Sequence, residues 1–246
     1  MTVADSAPFV TMPGHVRGVD FGHAVVLVNY RDGHVSTLPA SAGAALRQAA
    51  RFGSARHLPE KLLASLLGGG LLVESDRPRP WRAVREAQAP KASWGGDEFR
   101  AGLTPLPPVP RVQTLAAAAA LAVVHAVKAA GPEHEAMGRV LKLVHSAGTT
   151  RRRTPATAGE AELAVHAARS AGWYSPGRTN CLEESAAAML LLQLAGRAAV
   201  WRHGVAPDPI RLHAWIETVD GTPVAESTSV GLFTAILSIP GAHHVR

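Results

Sequence analysis

Cysteine is almost absent from this sequence, and its scarcity excludes several kinds of site. Cys181 is the only cysteine among 246 residues. A single thiol cannot form an intramolecular disulfide, and zinc sites built from several cysteines are excluded as well. A lone cysteine is either a small buried side chain or a thiol used in chemistry. The role of Cys181 is therefore the main question that the sequence raises.

Long apolar runs are also lacking. The longest, residues 115–127, contains His125 and is shorter than the ~20 residues of a membrane-spanning helix. The first ten residues include Asp5 and have no basic region ahead of an apolar core, which a signal peptide would require. We therefore expect a cytoplasmic protein that does not associate with membranes.

Clustered positive charge is scarce, although the net charge is +6. Residues 151–153 are the only tight basic run, and no aromatic residues alternate with it to stack on bases. We interpret this run as a solvated loop and expect no nucleic-acid partner. Hydrophobic residues make up 47% of the chain, which is enough for a packed core and excludes a wholly disordered protein.

The first 76 residues have the pattern of a small sheet followed by helices. Short runs typical of strands lie at 16–20, 24–30 and 34–37, and Arg31-Asp32-Gly33 is a hairpin signal. Helical patterns follow at 42–52 and 59–67, before three glycines end the second helix. We predict a first domain at residues 1–76.

Prolines then interrupt the chain. Residues 77–111 contain too many prolines for the interior of a regular element, so they are predicted to form a linker. Helical patterns resume at 112–130, 133–147 and 159–171, and strand patterns follow nearer the end. The sequence thus predicts an α+β protein whose second domain covers residues 112–246.

Cys181 is predicted to lie at the start of a helix. The segment 179–194 has a helical pattern, with Asn180 as a suitable N-cap and Glu183 three residues after it. The positive end of a helix dipole favours a thiolate. This position makes Cys181 a candidate nucleophile, although a buried structural cysteine is an equally good interpretation of the position alone.

A second hairpin supplies a candidate base and acid. A strand is expected at 198–203, and Asp220-Gly221 is predicted to be a two-residue turn between strands at 210–219 and 222–227. In that register His213, Trp215 and Glu217 share one face of the sheet, and Glu226 is the diagonal neighbour of His213. Glu217 lies about 13 Å along the strand from His213, too far to orient its ring.

We therefore predict a triad of Cys181, His213 and Glu226, in which the histidine takes the thiol proton and the carboxylate sets the tautomer. A core histidine with one hydrogen bond is the alternative interpretation of His213. The remaining candidate histidines are expected to be at the surface or incidental: His203, His243 and His244.

These motifs resemble those of a known family. Ser175-Pro-Gly-Arg-Thr-Asn-Cys-Leu-Glu-Glu, Leu212-His-Ala-Trp-Ile-Glu and Val224-Ala-Glu are similar to motifs of the transglutaminase-like leader peptidases of lasso-peptide biosynthesis, the B proteins. The resemblance covers residues 112–240. It implies a papain-like or transglutaminase-like domain, with a nucleophile helix packed on an antiparallel sheet. The family's nucleophile, base and acid fall on Cys181, His213 and Glu226, where the family usually has Asp as the acid.

The first domain is similar to the recognition element that binds precursor peptides, a winged-helix-like module of three strands followed by helices. His15-Val-Arg through Leu38 and Leu66-Leu-Gly-Gly-Gly-Leu-Leu have this similarity. The resemblance implies that the precursor's leader binds as an added strand along the sheet edge and against the last helix. The residues expected to contact the leader are Val35, Ser36, Thr37, Leu38, Leu62, Leu63 and Leu66.

The resemblance implies a fused protein that captures a leader peptide and cuts it from the core, so that a macrolactam-forming cyclase can act next. No metal or organic cofactor is expected for this chemistry, and no nucleotide-binding Gly-x-x-x-x-Gly-Lys-Ser/Thr loop occurs. Two alternatives remain open. One is an acyl transferase that uses the same triad, and the other is a non-catalytic winged helix that binds peptide or DNA, although residues 62–67 are apolar.

Overall fold

The computed structural model describes residues 9–82, 84–87, 107–149, 153–175, 177 and 179–241. The chain divides into two compact units, Met1–Ala89 and Pro90–Arg246. Both contain helices and strands, so the predicted α+β class is confirmed.

Unit 1 is built around a small sheet whose strands come early in the chain. Its elements are β1 (Phe9–Thr11), β2 (Val16–Asp20), β3 (Ala24–Asn29), β4 (Val35–Pro39), α1 (Ala40–Phe52), α2 (Glu60–Gly68), β5 (Val73–Ser75) and β6 (Arg85–Glu86). The order β4-β3-β2-β6 makes one four-stranded sheet, in which the first three strands are antiparallel, as predicted. Strand β1 pairs separately with β5.

The core of unit 1 forms because the sheet and both helices each present an apolar face. Strand β3 is almost entirely buried, and Leu46 of α1 and Leu66 of α2 are fully buried in the same cluster as Leu27. Partly buried side chains of β4 and α2, among them Leu38 and Leu62, pack against this cluster. Burial of such side chains typically stabilises a fold by about 1.5–3 kcal/mol each.

Part of the predicted linker belongs to unit 1. The Trp81 backbone N–H donates to the Ala50 carbonyl at 3.0 Å, and the Trp81 side chain packs against the core. Strand β6 then pairs in parallel with β2. The predicted linker at 77–111 therefore begins with residues that complete the first sheet, and its segment 88–106 lies outside the described residues.

The described residues of unit 2 contain four α-helices and a second sheet. Its elements are α3 (Arg111–Ala129), α4 (Ala136–Thr149), β7 (Thr154–Pro155), α5 (Ala158–Trp173), α6 (Cys181–Leu194), β8 (Arg197–Ala198), β9 (Val200–Pro207), β10 (Ile210–Glu217) and β11 (Thr234–Pro240). The antiparallel sheet has the order β10-β9-β11, and β7 pairs in parallel with β8. Helix α6 contacts α3, α5 and β10, and it is the central helix of the unit.

Helix α3 is long and apolar enough to cross a membrane by length and composition, with a mean hydropathy of 1.5 over its most apolar window, of which 22% is buried. It packs against α4, α5 and α6. A helix within a folded domain can have the same length and composition.

One part of the basic run differs from the prediction. Arg153 is buried, and its Nε donates to the Gln193 carbonyl at 3.3 Å. The interpretation of this run as a solvated loop is therefore wrong for Arg153. Arg151 and Arg152 lie outside the described residues.

Candidate active site

Cys181 is the first residue of α6, which confirms the predicted helix start. Asn180 occupies the N-cap in an extended conformation, and its backbone N–H donates to Glu183 Oε2 at 3.0 Å. Glu183 is itself buried and paired with Lys128 of α3. The cap therefore fixes where the helix begins, and it holds Cys181 at the end of the helix that favours a thiolate. The Cys181 side chain is partly exposed, so a substrate can reach it.

His213 lies on β10 within a cluster of aromatic rings. Its ring stacks on Trp215 with centroids 5.8 Å apart, and Phe233 lies 5.3 Å away on a tilted plane. Trp215 Nε1 donates to Glu217 Oε1 at 2.9 Å. The predicted alternation that places His213, Trp215 and Glu217 on one face is therefore confirmed. The aromatic neighbours remove much of the water around the imidazole, whose side chain is 20% exposed.

A small residue opposite His213 makes room for this cluster. Gly204 of β9 pairs with His213 in the sheet register. A Cβ at this position would lie 2.8 Å from the Trp215 ring and 2.9 Å from the Thr234 carbonyl oxygen. Glycine therefore lets Trp215 lie against the sheet, beside the ring of His213.

The predicted two-residue turn after β10 is wrong. Gly221 N–H donates to the Thr218 carbonyl at 3.0 Å, and Thr218 N–H donates to the Thr222 carbonyl at 2.9 Å. These bonds close a three-residue loop, 219–221, in which Gly221 has a left-handed φ of 90°. The Asp220 carboxylate accepts from both flanking threonine hydroxyls, which stabilises the longer loop.

The longer loop shifts the register by one residue, and the predicted strand at 222–227 is reduced to a single bridge. Glu217 pairs with Pro223, and Val224 N–H donates to the Ile216 carbonyl at 2.9 Å. A continued strand in this register would turn Glu226 away from the face of His213. The chain instead leaves the ladder at Ala225, which has a left-handed φ of 52°.

The bend at Ala225 brings the acid to the base by a different route from the one predicted. His213 Nε2 donates to Glu226 Oε2 at 2.8 Å, and the His213 side chain is also hydrogen-bonded to Cys181. The structure therefore brings together all three side chains that the sequence predicts as catalytic. Because Nε2 faces the carboxylate, Nδ1 is the ring nitrogen left for the thiol.

The electrostatics of this cluster favour a charged imidazole. Burial lowers the pKa of His213, but hydrogen bonds with Cys181 and Glu226, together with the charges of both, outweigh burial and raise the pKa to about 9. An imidazolium at neutral pH stabilises a neighbouring thiolate, which is the nucleophilic form of cysteine. The arrangement can therefore attack a carbonyl carbon and protonate a leaving group.

Two charged residues at this site were not predicted from the sequence. Arg169 of α5 donates from its Nη2 to Glu226 Oε1 at 2.6 Å and from its Nη1 to the Ala225 carbonyl at 2.5 Å. Glu184, one turn after Cys181 on α6, lies 4.0 Å from Arg169 Nε. Burial raises the pKa of Glu184, and the neighbouring carboxylates of Glu183 and Glu226 act in the same direction against the effect of Arg169.

Two other polar residues of the sheet have separate environments. Glu217 Oε2 accepts from Arg202 Nε at 2.8 Å, so this carboxylate is bound away from His213. His203 is buried and stacked with Trp201, which corrects the expectation of a surface position. Burial and the nearby His213 lower the pKa of His203 to about 4. His243 and His244 lie outside the described residues.

The predicted leader-binding residues lie on two elements of unit 1. Val35, Ser36, Thr37 and Leu38 belong to β4, an edge strand of the four-stranded sheet. Leu38, Leu62 and Leu63 are partly buried against the core, whereas Leu66 is fully buried within it. The side chain of Leu66 therefore contributes to packing.

A cavity of about 1020 Å³ lies between α3, the start of α4 and the residues that precede α6. Its walls include Leu121, His125 and Tyr174, and they are mainly apolar. The side chains of Cys181, His213 and Glu226 are not among its lining residues, so the cavity is separate from the triad. Within the described ranges, no three His, Cys, Asp or Glu side chains are placed to share a metal ion.

A family model matches part of this chain. No curated protein and no solved structure matches the chain significantly. Residues 129–238 match the model of the transglutaminase-like superfamily, whose members are in general cysteine peptidases and acyltransferases. The matched segment contains Cys181, His213 and Glu226, the residues that the structure brings into one hydrogen-bonded cluster. Residues 129–238, somewhat less than half of the chain, are therefore similar to transglutaminase-like domains.

Proposed function

We propose that this protein is a cysteine peptidase that cleaves the leader from the core of a lasso-peptide precursor, before a partner cyclase closes the macrolactam ring. The main support is the position of His213 on β10, where its side chain is hydrogen-bonded to Glu226 and to Cys181, the first residue of α6. A transglutaminase-like domain with this arrangement has the three groups that acyl transfer from a peptide bond requires.

In the proposed reaction His213 takes the Cys181 proton, and Sγ forms a bond to the carbonyl carbon of the scissile peptide. The resulting imidazolium protonates the leaving amine, and the C–N bond breaks to give a thioester and the free core peptide. His213 then removes a proton from water, which attacks the thioester and releases the leader as an acid. Glu226 holds the imidazole in the tautomer that both steps need.

Leader capture is assigned to unit 1. Strand β4 is at the edge of its sheet, and Asn29 N–H donates to the His34 carbonyl at the hairpin end of the β3–β4 pair. Alternation from that bond directs the backbone N–H groups of Val35 and Thr37 away from β3. An extended leader can therefore add to β4 through main-chain hydrogen bonds, while its side chains contact Leu38, Leu62 and Leu63.

The test is to incubate the purified protein with a synthetic lasso-peptide precursor, in which the leader is joined to the core, and to follow the products by mass spectrometry. Cys181→Ala is expected to abolish cleavage and to leave leader affinity in calorimetry unchanged, because the thiol lies in unit 2. Retained cleavage by Cys181→Ala would refute the proposal.

The superfamily match supports acyl transfer to an amine as a second candidate reaction. Repeating the incubation with added methylamine separates the two reactions. A peptidase releases the leader with a free carboxylate in the presence of the amine. A transferase gives the methylamide and little product without it.

A further inference from the structure

We infer that Arg169 is a positioning residue that holds Glu226 against His213. The arrangement of the three triad residues depends on this arginine. The effect of Arg169 on catalysis rests on the proposed function. Its effect on the orientation of His213 and Cys181 rests only on the contacts of its guanidinium group.

The sheet does not position Glu226. Its last ladder bond in this segment is donated by Val224 N–H to the Ile216 carbonyl, and the left-handed Ala225 follows directly. A glutamate side chain on such an irregular segment has several rotatable bonds, and holding it in one conformation costs conformational entropy. Another element must therefore fix the position of the Glu226 side chain.

Arg169 divides its hydrogen-bond donors between Ala225 and Glu226. One nitrogen binds the backbone carbonyl of Ala225 and another binds Oε1 of Glu226, so a single planar group fixes two consecutive residues. Because Oε1 is taken by Arg169, Oε2 is the oxygen that accepts from His213. Arg169 thus selects which face of the carboxylate meets the base.

Arg169 is itself held in place by its neighbours. It lies on α5 among buried alanines, including Ala168 and Ala171, and its side chain is 26% exposed. Glu184 of α6 lies on another side of its guanidinium, with Nε 4.0 Å from Oε2. The close approach of α5 and α6 continues at Gly172, where a Cβ would lie 3.2 Å from Glu184 Oε1. The arginine therefore connects the helix that bears the nucleophile to the segment that bears the acid.

Unit 2 offers a matched control for the experiment. Arg202 and Glu217 form a second arginine–carboxylate pair in the same unit, with side chains 29% and 11% exposed, against 26% and 10% for Arg169 and Glu226. The two arginines differ mainly in what their carboxylate contacts. Arg202→Gln removes an equivalent ion pair without touching the carboxylate that faces His213.

The readout uses the single cysteine of the chain, which iodoacetate alkylates without background from other thiols. Iodoacetate is an anion, so it reacts fastest with the thiolate while His213 is an imidazolium. Its rate with the wild type should fall as the pH rises through about 9, the pKa of His213. Besides Glu226, the titratable groups that act on His213 are Cys181 on α6 and, through Coulomb interactions, Glu184 on α6 and His203 on β9.

Arg169→Gln is expected to lower the pH of this fall by about one unit, because a mobile Glu226 no longer supports the imidazolium. Arg169→Lys should lie between the two, since one ammonium group cannot reproduce both contacts of the guanidinium. Arg202→Gln should leave the midpoint unchanged. Thermal unfolding of each variant identifies any that fail to fold, and Arg169→Lys then remains as the second test.

Two results would overturn the inference. An unchanged midpoint in both folded Arg169 variants means that the arginine serves stability only, and an upward shift means that it acts only as a positive charge near His213. Precursor cleavage is measured separately. Loss of the proposed peptidase function would leave the alkylation result valid, because alkylation needs no substrate.

Discussion

Replacement of Glu226 by Gln tests the candidate triad most directly, because it changes the charge of the side chain and keeps its size. The amide has one acceptor and one donor group, whereas the carboxylate accepts from Arg169 and from His213 at once. If the amide oxygen faces Arg169, its NH₂ group faces His213 Nε2. The imidazole must then place its proton on Nδ1, toward the thiol that it should deprotonate.

The structure sets the scale of the effect. The rise in the pKa of His213 from 6.5 to about 9 corresponds to about 3 kcal/mol in favour of the imidazolium. Cys181 contributes part of this rise, so the lost charge of Glu226 lowers the pKa of His213 by only part of the difference. The wrong tautomer costs more, about 10⁴-fold in kcat in a serine protease whose acid was changed to an amide. We expect Glu226→Gln to slow cleavage by at least about 10²-fold without weakening leader binding.

Single-turnover cleavage of the precursor is the assay, with Glu217→Gln as the control. Glu217 also accepts from two donors, Arg202 and Trp215, so its amide suffers the same conflict at a distance from the thiol. Glu217→Gln should lower the melting temperature but should change the turnover rate much less than Glu226→Gln does. The double variant Arg169→Gln/Glu226→Gln should be no slower than Glu226→Gln, because the amide is then free to turn its oxygen toward His213. A Glu226→Gln rate within tenfold of the wild type would refute the assigned triad.

Two further predictions concern the edge of unit 1 and the packing beneath His213. Thr37→Pro should weaken leader binding by at least tenfold in calorimetry, because proline removes an outward N–H of β4. Thr37→Ala keeps that N–H and should bind the leader normally. Equal affinities of the two variants would contradict strand addition. Gly204→Ala should destabilise the protein by about 1–3 kcal/mol in urea unfolding, because its Cβ would collide with Trp215. A Cβ at Gly159 has open space around it, so Gly159→Ala should not destabilise the protein. Equal stabilities of the two variants would contradict the packing described around His213.

The nucleophile helix could be predicted because its signals are local. Asn180 and Glu183 are a cap pattern separated by three residues, and that pattern depends on backbone groups of the same turn. Strands β2, β3 and β4 of unit 1 were predictable for the same reason, since a short hairpin joins β3 to β4. Such features depend on few distant contacts.

The acid of the triad shows where local rules fail. Asp220-Gly221 is compatible with a two-residue or a three-residue loop, and the hydroxyls of Thr218 and Thr222 favour the longer one by binding Asp220. Glu226 still reaches His213 because Ala225 bends the chain, which no propensity predicts for alanine. The two were predicted as neighbours, but on the basis of a register that the structure does not have.

Arg169 could not be assigned from the sequence because its partners are more than 50 residues away, on a segment without regular structure. The available signal is weak: an arginine within an alanine-rich helix whose neighbours are buried. Strand β11 escaped prediction for a related reason, since its residues are only partly buried and lack a clear alternation.

The presence of only one cysteine also determines how this site responds to oxidants. A thiolate stabilised by a neighbouring imidazolium is the form that peroxide converts to sulfenic acid. Many enzymes protect such a sulfenate by forming a disulfide with a second cysteine, but these 246 residues contain none besides Cys181. Recovery of an oxidised site therefore depends on an external thiol, and without one oxidation proceeds to the irreversible sulfinic and sulfonic acids.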